Sequence, residues 1–264
     1  MRELTIDTAA AAGLDELGEP GAHPIIRWAA QGFAPGVRAF TLDGAVAVAS
    51  PALSCRDRLA VHGPAEPAAR LLRQVLREVG PDFRPIGEHA LMTSLLAAVP
   101  ELRAAAEFFW MDLAGPPTAP APSVPNQHQR PATAPTPAAR WLTPDELPDA
   151  AALLDLAFPD SYAHPGRPGA RAWAGVRDHE GRLTALAADA WSAPDLGLLA
   201  GVTAHPVHGR GRGHAEAACR LVLDTLVRRY GRAGLMVAGE NAAAIRLYER
   251  LGLRRRAVLA AYVI

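Results

Sequence analysis

The segment His205-Pro206-Val207-His208-Gly209-Arg210-Gly211-Arg212-Gly213-His214-Ala215 decides how the rest of the chain is read. It joins an apolar run, Gly197–Ala204, to a helical pattern that begins near Gly213 and runs to Tyr230. Glycines at alternate positions leave the backbone uncrowded, so successive N–H groups can turn toward one anion. The helix that follows adds the positive end of its dipole. Arg210 and Arg212 can bring charge from the sides, and the whole suits a pyrophosphate. A tight structural turn is the competing reading, because glycines between a strand and a helix are common. A dinucleotide loop fits poorly. The acidic strand end expected roughly twenty residues on is replaced by Gly231–Gly234.

Downstream of the loop by one helix, one strand and a turn stands Asn241-Ala242-Ala243-Ala244-Ile245-Arg246-Leu247-Tyr248-Glu249-Arg250-Leu251-Gly252-Leu253. Asn241 caps a short helix over Ala242–Leu251 and Gly252 stops it. Together the two segments resemble the acetyl-CoA motifs of the GCN5-related N-acetyltransferase family. There the loop reads Arg/Gln-x-x-Gly-x-Gly/Ala, matched by Arg210, Gly213 and Ala215. The helix reads Asn-x-x-Ala-x-x-Leu-Tyr-x-x-Leu-Gly-Phe, matched by Asn241, Ala244, Leu247, Tyr248, Leu251 and Gly252, with Leu253 for Phe. A second register starts at His208 and uses Gly211 and Gly213. Starting at Arg210 keeps a true arginine and leaves one extra residue, Gly209, before the motif.

The resemblance implies a co-substrate, acetyl-CoA, and no metal. Backbone groups of Val202, Thr203 and Ala204 would bond the pantetheine amides, and the amides of Arg210, Gly211, Arg212, Gly213, His214 and Ala215 would hold the pyrophosphate. Asn241 would lie near the pantetheine, or serve as an N-cap alone. A neutral amine would attack the thioester, with an oxyanion held by a backbone N–H near Val202. Tyr248 would protonate the leaving thiolate, a phenol pKa lying near that of a thiol. Its alternative is packing, since Ile245, Tyr248 and Leu251 share a helix face. No base can be singled out; Asp189, Glu240 and His205 are candidates by proximity in the expected topology. His205, His208 and His214 read as surface histidines rather than metal ligands.

The rest of the C-terminal part fits a mixed, mostly antiparallel α/β sheet flanked by helices. Thr143 and Glu146 form a capping box ahead of a helix that reaches Phe158. Strands follow at Ala172–Asp178 and Leu183–Trp191, then at Leu235–Val237 and Arg255–Val263. In the N-terminal part, Val37–Leu42 and Ala45–Ala49 flank Asp43-Gly44 as a hairpin. Further strands are expected at Arg58–His62, Phe83–Ile86 and Phe108–Leu113, with helices from Pro67 to Val79 and from Glu88 to Ala98. This outline repeats that of the C-terminal part, so it reads as a degenerate second copy of the same fold or an unrelated cap. Its loop, Gly63-Pro64-Ala65-Glu66, lacks the anion cradle, and its expected job is to cover the acceptor site or make a homodimer contact. Between the halves, residues 114–139 turn to Pro, Ala, Thr and Gln, a linker composition. The expected organisation is therefore 1–113, linker 114–139, and an acetyltransferase domain over 140–264.

Composition sets the outer limits. The chain has 264 residues, half of them apolar, and a formal net charge of zero, which gives no electrostatic reason to expect nucleic acid or an anionic membrane as partner. It contains no lysine, which excludes Walker-type and Schiff-base lysines. Its two cysteines, Cys55 and Cys219, are too few for a disulfide framework. No membrane-length apolar run or signal-peptide block is present, so a cytoplasmic location is expected. The functional expectation is acetyl transfer to a primary amine of a small molecule or a peptide N-terminus. The alternative is a CoA-binding regulatory or scaffold module without turnover.

Overall fold

The computed structural model describes residues 1–4, 23–114 and 138–264. The expected linker falls almost wholly outside the described residues. Twelve strands form one sheet, ordered β1-β2-β3-β4-β5-β12-β6-β11-β10-β9-β8-β7. Neighbours are antiparallel except for two parallel pairs, β4 with β5 and β10 with β11.

The N-terminal half runs β1 (Arg2–Leu4), α1 (Pro24–Ala30), β2 (Arg38–Leu42), β3 (Ala45–Leu53), β4 (Arg56–His62), α2 (Ala65–Val79), β5 (Arg84–Glu88), α3 (His89–Ala98) and β6 (Leu102–Ala114). The C-terminal half runs β7 (Ala139–Trp141), α4 (Leu147–Ala157), β8 (Ala170–Arg177), β9 (Leu183–Ala190), β10 (Gly197–Ala204), α5 (His214–Tyr230), β11 (Arg232–Ala238), α6 (Ala242–Arg250) and β12 (Arg254–Val263). From β4 and from β10 onward the two halves trace the same path: strand, long helix, parallel strand, short helix, long strand. The expected repeat is present in the backbone.

Local chemistry explains most of the boundaries. Asp43 and Gly44 both take positive φ, 49° and 81°, as a two-residue hairpin turn of matching twist requires. The Glu146 carboxylate accepts the Thr143 N–H at 3.1 Å, the reach-back half of a capping box. Asn241 Oδ1 accepts the Ala244 N–H at 3.1 Å, and Gly252 follows α6 with φ 93°. The elements missing from the sequence reading, β1, α1 and β7, are short and flank the residues that are not described.

The two halves interlock through their last strands. Among the described residues β6 pairs only with β11 and β12, both from the C-terminal half. β12 pairs with β5 and β6, both from the N-terminal half. Each half therefore places its final strand beyond the other's. One face of the sheet carries α2 and α3 over the N-terminal strands and α5 and α6 over the C-terminal ones. The opposite face carries α1 and α4. Alternation along β6 serves both faces: Trp110 packs with Trp28 of α1, and Met111 packs under α5. Phe108 and Phe109 lie half-buried in the same strand, and Phe108 also faces a cavity.

Candidate active site

β10 and β11 are hydrogen-bonded at one end only. Gly197 pairs with Ala233 and Leu198 with Gly234, after which the two strands part. On its other edge β10 stays paired with β9 up to Ala204, through an irregularity between Ala200 and Thr203. Gly201 lies in that irregularity with φ 60°, a conformation glycine adopts freely. An added Cβ there would meet the Trp173 ring at 2.7 Å. Among the described residues the β11-facing edge of β10 beyond Leu198, including Val202, Thr203 and Ala204, thus has no ladder partner. Backbone groups left without a ladder call for other hydrogen-bonding partners.

The glycine loop closes the open end of this gap. His205 organises its first half: its N–H donates to Thr184 O at 2.8 Å, and its carbonyl accepts the N–H of Gly209 (2.9 Å) and Arg210 (3.2 Å). Its Nδ1 accepts the N–H of Val207 and of His208, both at 3.2 Å. Gly209 passes so close to β9 that a Cβ would stand 2.1 Å from Thr184 O. The residue that looked like an insertion is therefore what lets the loop reach β9. Gly211 and Gly213 differ in kind, with positive φ of 70° and 78° and open space where a Cβ would go. Gly213 directly precedes the first turn of α5.

The Arg210 amide, expected among the phosphate donors, is committed to His205. The amides of Gly211, Arg212, Gly213, His214 and Ala215 have no hydrogen-bond acceptor among the described residues. These donors, at a helix N-terminus beside an unpaired strand edge, fit a pyrophosphate joined to a pantetheine arm. His214 Nδ1 contacts Thr184 Oγ1 at 2.6 Å, and burial with the nearby Arg212 charge lowers its pKa. Among the described residues no group of three or more His, Cys, Asp or Glu side chains could hold a metal ion.

A cavity of about 510 Å³ opens from the gap. Leu198–Gly201 of β10 and Met236–Ala238 of β11 form one side, with Glu240 at the rim. The N-terminal half supplies Ser54, Arg56, Arg58 and Arg84 across from them. Tyr162, in the connection after α4, and Phe108 of β6 complete the wall. None of the N-terminal residues was singled out from the sequence. Arginines on short strands carry no motif, and the topology alone carries them to the gap.

The candidates named from the sequence separate accordingly. Of the three possible bases, Glu240 lines the cavity. Asp189 does not; it is buried on β9, accepting from Ser192 Oγ at 2.5 Å and Tyr230 OH at 3.4 Å. The His205 ring acts as acceptor for loop amides. Asn241 caps α6 and is exposed. Tyr248, on α6, is buried in the core it shares with α5 and does not line the cavity. Burial and the adjacent Cys219 push its phenol pKa well above the usual tyrosine value.

Residues 174–262 match the FR47-like protein family. A GCN5-related N-acetyltransferase from Kribbella flavida superposes with a TM-score of 0.59 at 18% identity, covering 90% of this chain and 94% of that one. The C-terminal half has the GCN5-related N-acetyltransferase fold. A second protein so named, from Sphaerobacter thermophilus, gives a TM-score of 0.55 at 18% identity, over 99% of this chain and 94% of that one. A GCN5-related N-acetyltransferase-like protein from Streptococcus suis gives 0.51 at 10% identity, over 92% and 95%. No curated protein sequence matches the chain. The GCN5-related fold accounts for the parted strands and the loop ahead of α5, and the family match spans both. No helix among the described residues is long and apolar enough to cross a membrane.

Proposed function

We propose that the chain is an acetyl-CoA-dependent N-acetyltransferase acting on a primary amine of a small molecule or a peptide N-terminus. The observation that carries this reading is the continuity of three features: the unpaired edge of β10, the acceptor-free amides at the start of α5, and the cavity that opens from the same gap. Val202, Thr203 and Ala204 would bond the pantetheine, and residues 211–215 its pyrophosphate, with Arg210 and Arg212 alongside. The thioester carbonyl would then stand at the cavity, where the amine nitrogen attacks it. A β10 amide near Val202 would hold the oxyanion until the C–S bond breaks.

The attacking nitrogen loses a proton and the departing sulfur gains one. Glu240 is the carboxylate best placed to receive the first, directly or through water. Tyr248 is the residue that the family resemblance assigns to the second. Its burial keeps it protonated, as a donor must be.

One observation favours a second reading, a CoA-binding regulatory or scaffold module: Tyr248 belongs to the core and not to the cavity wall. Thiol release from acetyl-CoA, followed across a panel of amines and paired with calorimetric titration of CoA, separates the two. Turnover with any amine supports the transferase. CoA binding without turnover, unaltered in Tyr248→Phe, supports the module. An absence of CoA binding overturns both.

A further inference from the structure

The N-terminal half brings a cluster of positive charge to the cavity that the transfer chemistry leaves unused. Arg58 and Arg84 are register partners on the parallel strands β4 and β5, so they stand side by side. Arg56 lies two residues before Arg58 and projects to the same face of the sheet. All three line the cavity.

Arg58 is 7% exposed, yet among the described residues it has neither an ion pair nor a side-chain hydrogen bond, and its Nε is buried without a partner. Burial lowers its pKa to about 10, and the positive charges of Arg56 and Arg84 press in the same direction. Tyr162 and Cys55 are its favourable influences, and neither is a carboxylate. Arg56 donates from Nε to Tyr162 OH at 3.1 Å, with its guanidinium 5.5 Å from the centre of that ring. The carboxylates of the cavity wall do not answer the arginines. Glu107 faces His89 at 3.3 Å, and Glu240 is on the far side with β11. A buried guanidinium without an anion is costly to a fold, and a fork of planar donors matches a carboxylate or phosphate.

We propose that the acceptor is an amine that carries an oxyanion group, a carboxylate or a phosphate, gripped by Arg58 with Arg56 and Arg84 while its amine reaches the β10–β11 gap. The proposal rests on the transferase reading of that gap. It assigns the N-terminal half the task of selecting the acceptor by charge. Tyr162 would fix Arg56 in place for this.

The test uses the full chain and matched acceptor pairs. Each free L-amino acid is compared with its carboxamide, and phosphoethanolamine with ethanolamine, by thiol release from acetyl-CoA. The expected result is at least a tenfold preference in kcat/KM for the charged member of one series, and the series that shows it identifies carboxylate or phosphate. Arg58→Met should bring that ratio close to one, mainly through KM. It should also raise the melting temperature, because it removes an unpaired buried charge and keeps an apolar stem. Arg84→Gln serves as a milder second variant if Arg58→Met folds poorly. Equal or better use of the neutral members by the wild type overturns the proposal, as does a ratio that survives both substitutions. If no amine is acetylated, the transferase reading fails on its own. The same pairs are then titrated calorimetrically against the CoA-saturated chain. Charge-selective binding lost in Arg58→Met upholds the arginine site, and binding without discrimination, or none, overturns it.

Discussion

Trp110 of the N-terminal half covers Gly234 of the C-terminal half so closely that a Cβ on the glycine would stand 2.6 Å from the indole Cζ2. Gly234 is also the last residue of β11 to pair with β10. The contact therefore fixes the interlock between halves at the point where the gap begins.

Gly234→Ala is expected to destabilise the protein by about 1–3 kcal/mol, the usual range for overpacking a filled core. Urea unfolding followed by far-ultraviolet circular dichroism and by tryptophan fluorescence measures it. The two signals should coincide in wild type, because neither half has a complete sheet without the other's last strand.

The loop glycines should fall into two classes. Gly209→Ala forces a methyl group against Thr184 O, so both CoA affinity and melting temperature should drop. Gly213→Ala meets no atom within 4 Å and carries only the strain of its left-handed backbone, about 1–2 kcal/mol. Thermal scans with and without CoA distinguish the two. A Gly209→Ala protein as stable as Gly213→Ala would contradict the close approach to β9.

Tyr248→Phe keeps the ring in its place, packed from α6 into the core shared with α5, and deletes only the hydroxyl. If Tyr248 is the proton donor to the thiolate, kcat should fall by about 10²–10⁴, with CoA affinity unchanged. Steady-state kinetics together with a CoA titration reads both quantities. A variant with wild-type kcat assigns the residue to packing.

Stability should fall on mild acidification because of His23. Its Nδ1 lies 3.4 Å from the Ile25 N–H, and burial, reinforced by His62 and Arg256, lowers its pKa from 6.5 to about 4. These outweigh the Glu88 carboxylate 3.5 Å from Nε2. Between pH 6.5 and 4 the unfolded chain binds a proton at His23 that the native chain does not, so stability declines as pH falls and this contribution levels off below pH 4. The full shift corresponds to about 3 kcal/mol. Chemical denaturation across that window, with and without His23→Gln, checks it; the variant should lose a slope of about one proton.

What the sequence alone determined was local. The Asp43-Gly44 turn, the Thr143 and Asn241 caps and the glycine loop follow from backbone chemistry within a few residues. Each of these was legible, although β6 begins at Leu102 rather than Phe108 and β3 runs to Leu53 rather than Ala49. The family resemblance carried the same loop and helix to a fold and a chemistry. What only the tertiary structure decided was long-range. The exchange of β6 and β12 depends on pairing between segments more than a hundred residues apart, and strand patterning reports which face is buried but not which strand lies alongside. The same holds for the cavity wall. Arg58 and Arg84 read as ordinary strand arginines, and Arg56 as a residue just ahead of a strand, until β4 and β5 are brought across from β10 and β11, where the burial of Arg58 without a counter-charge sets the group apart. Tyr248 shows the limit from the other side: its motif was plain in the sequence, and its burial away from the cavity was decided by the packing of α5 and α6.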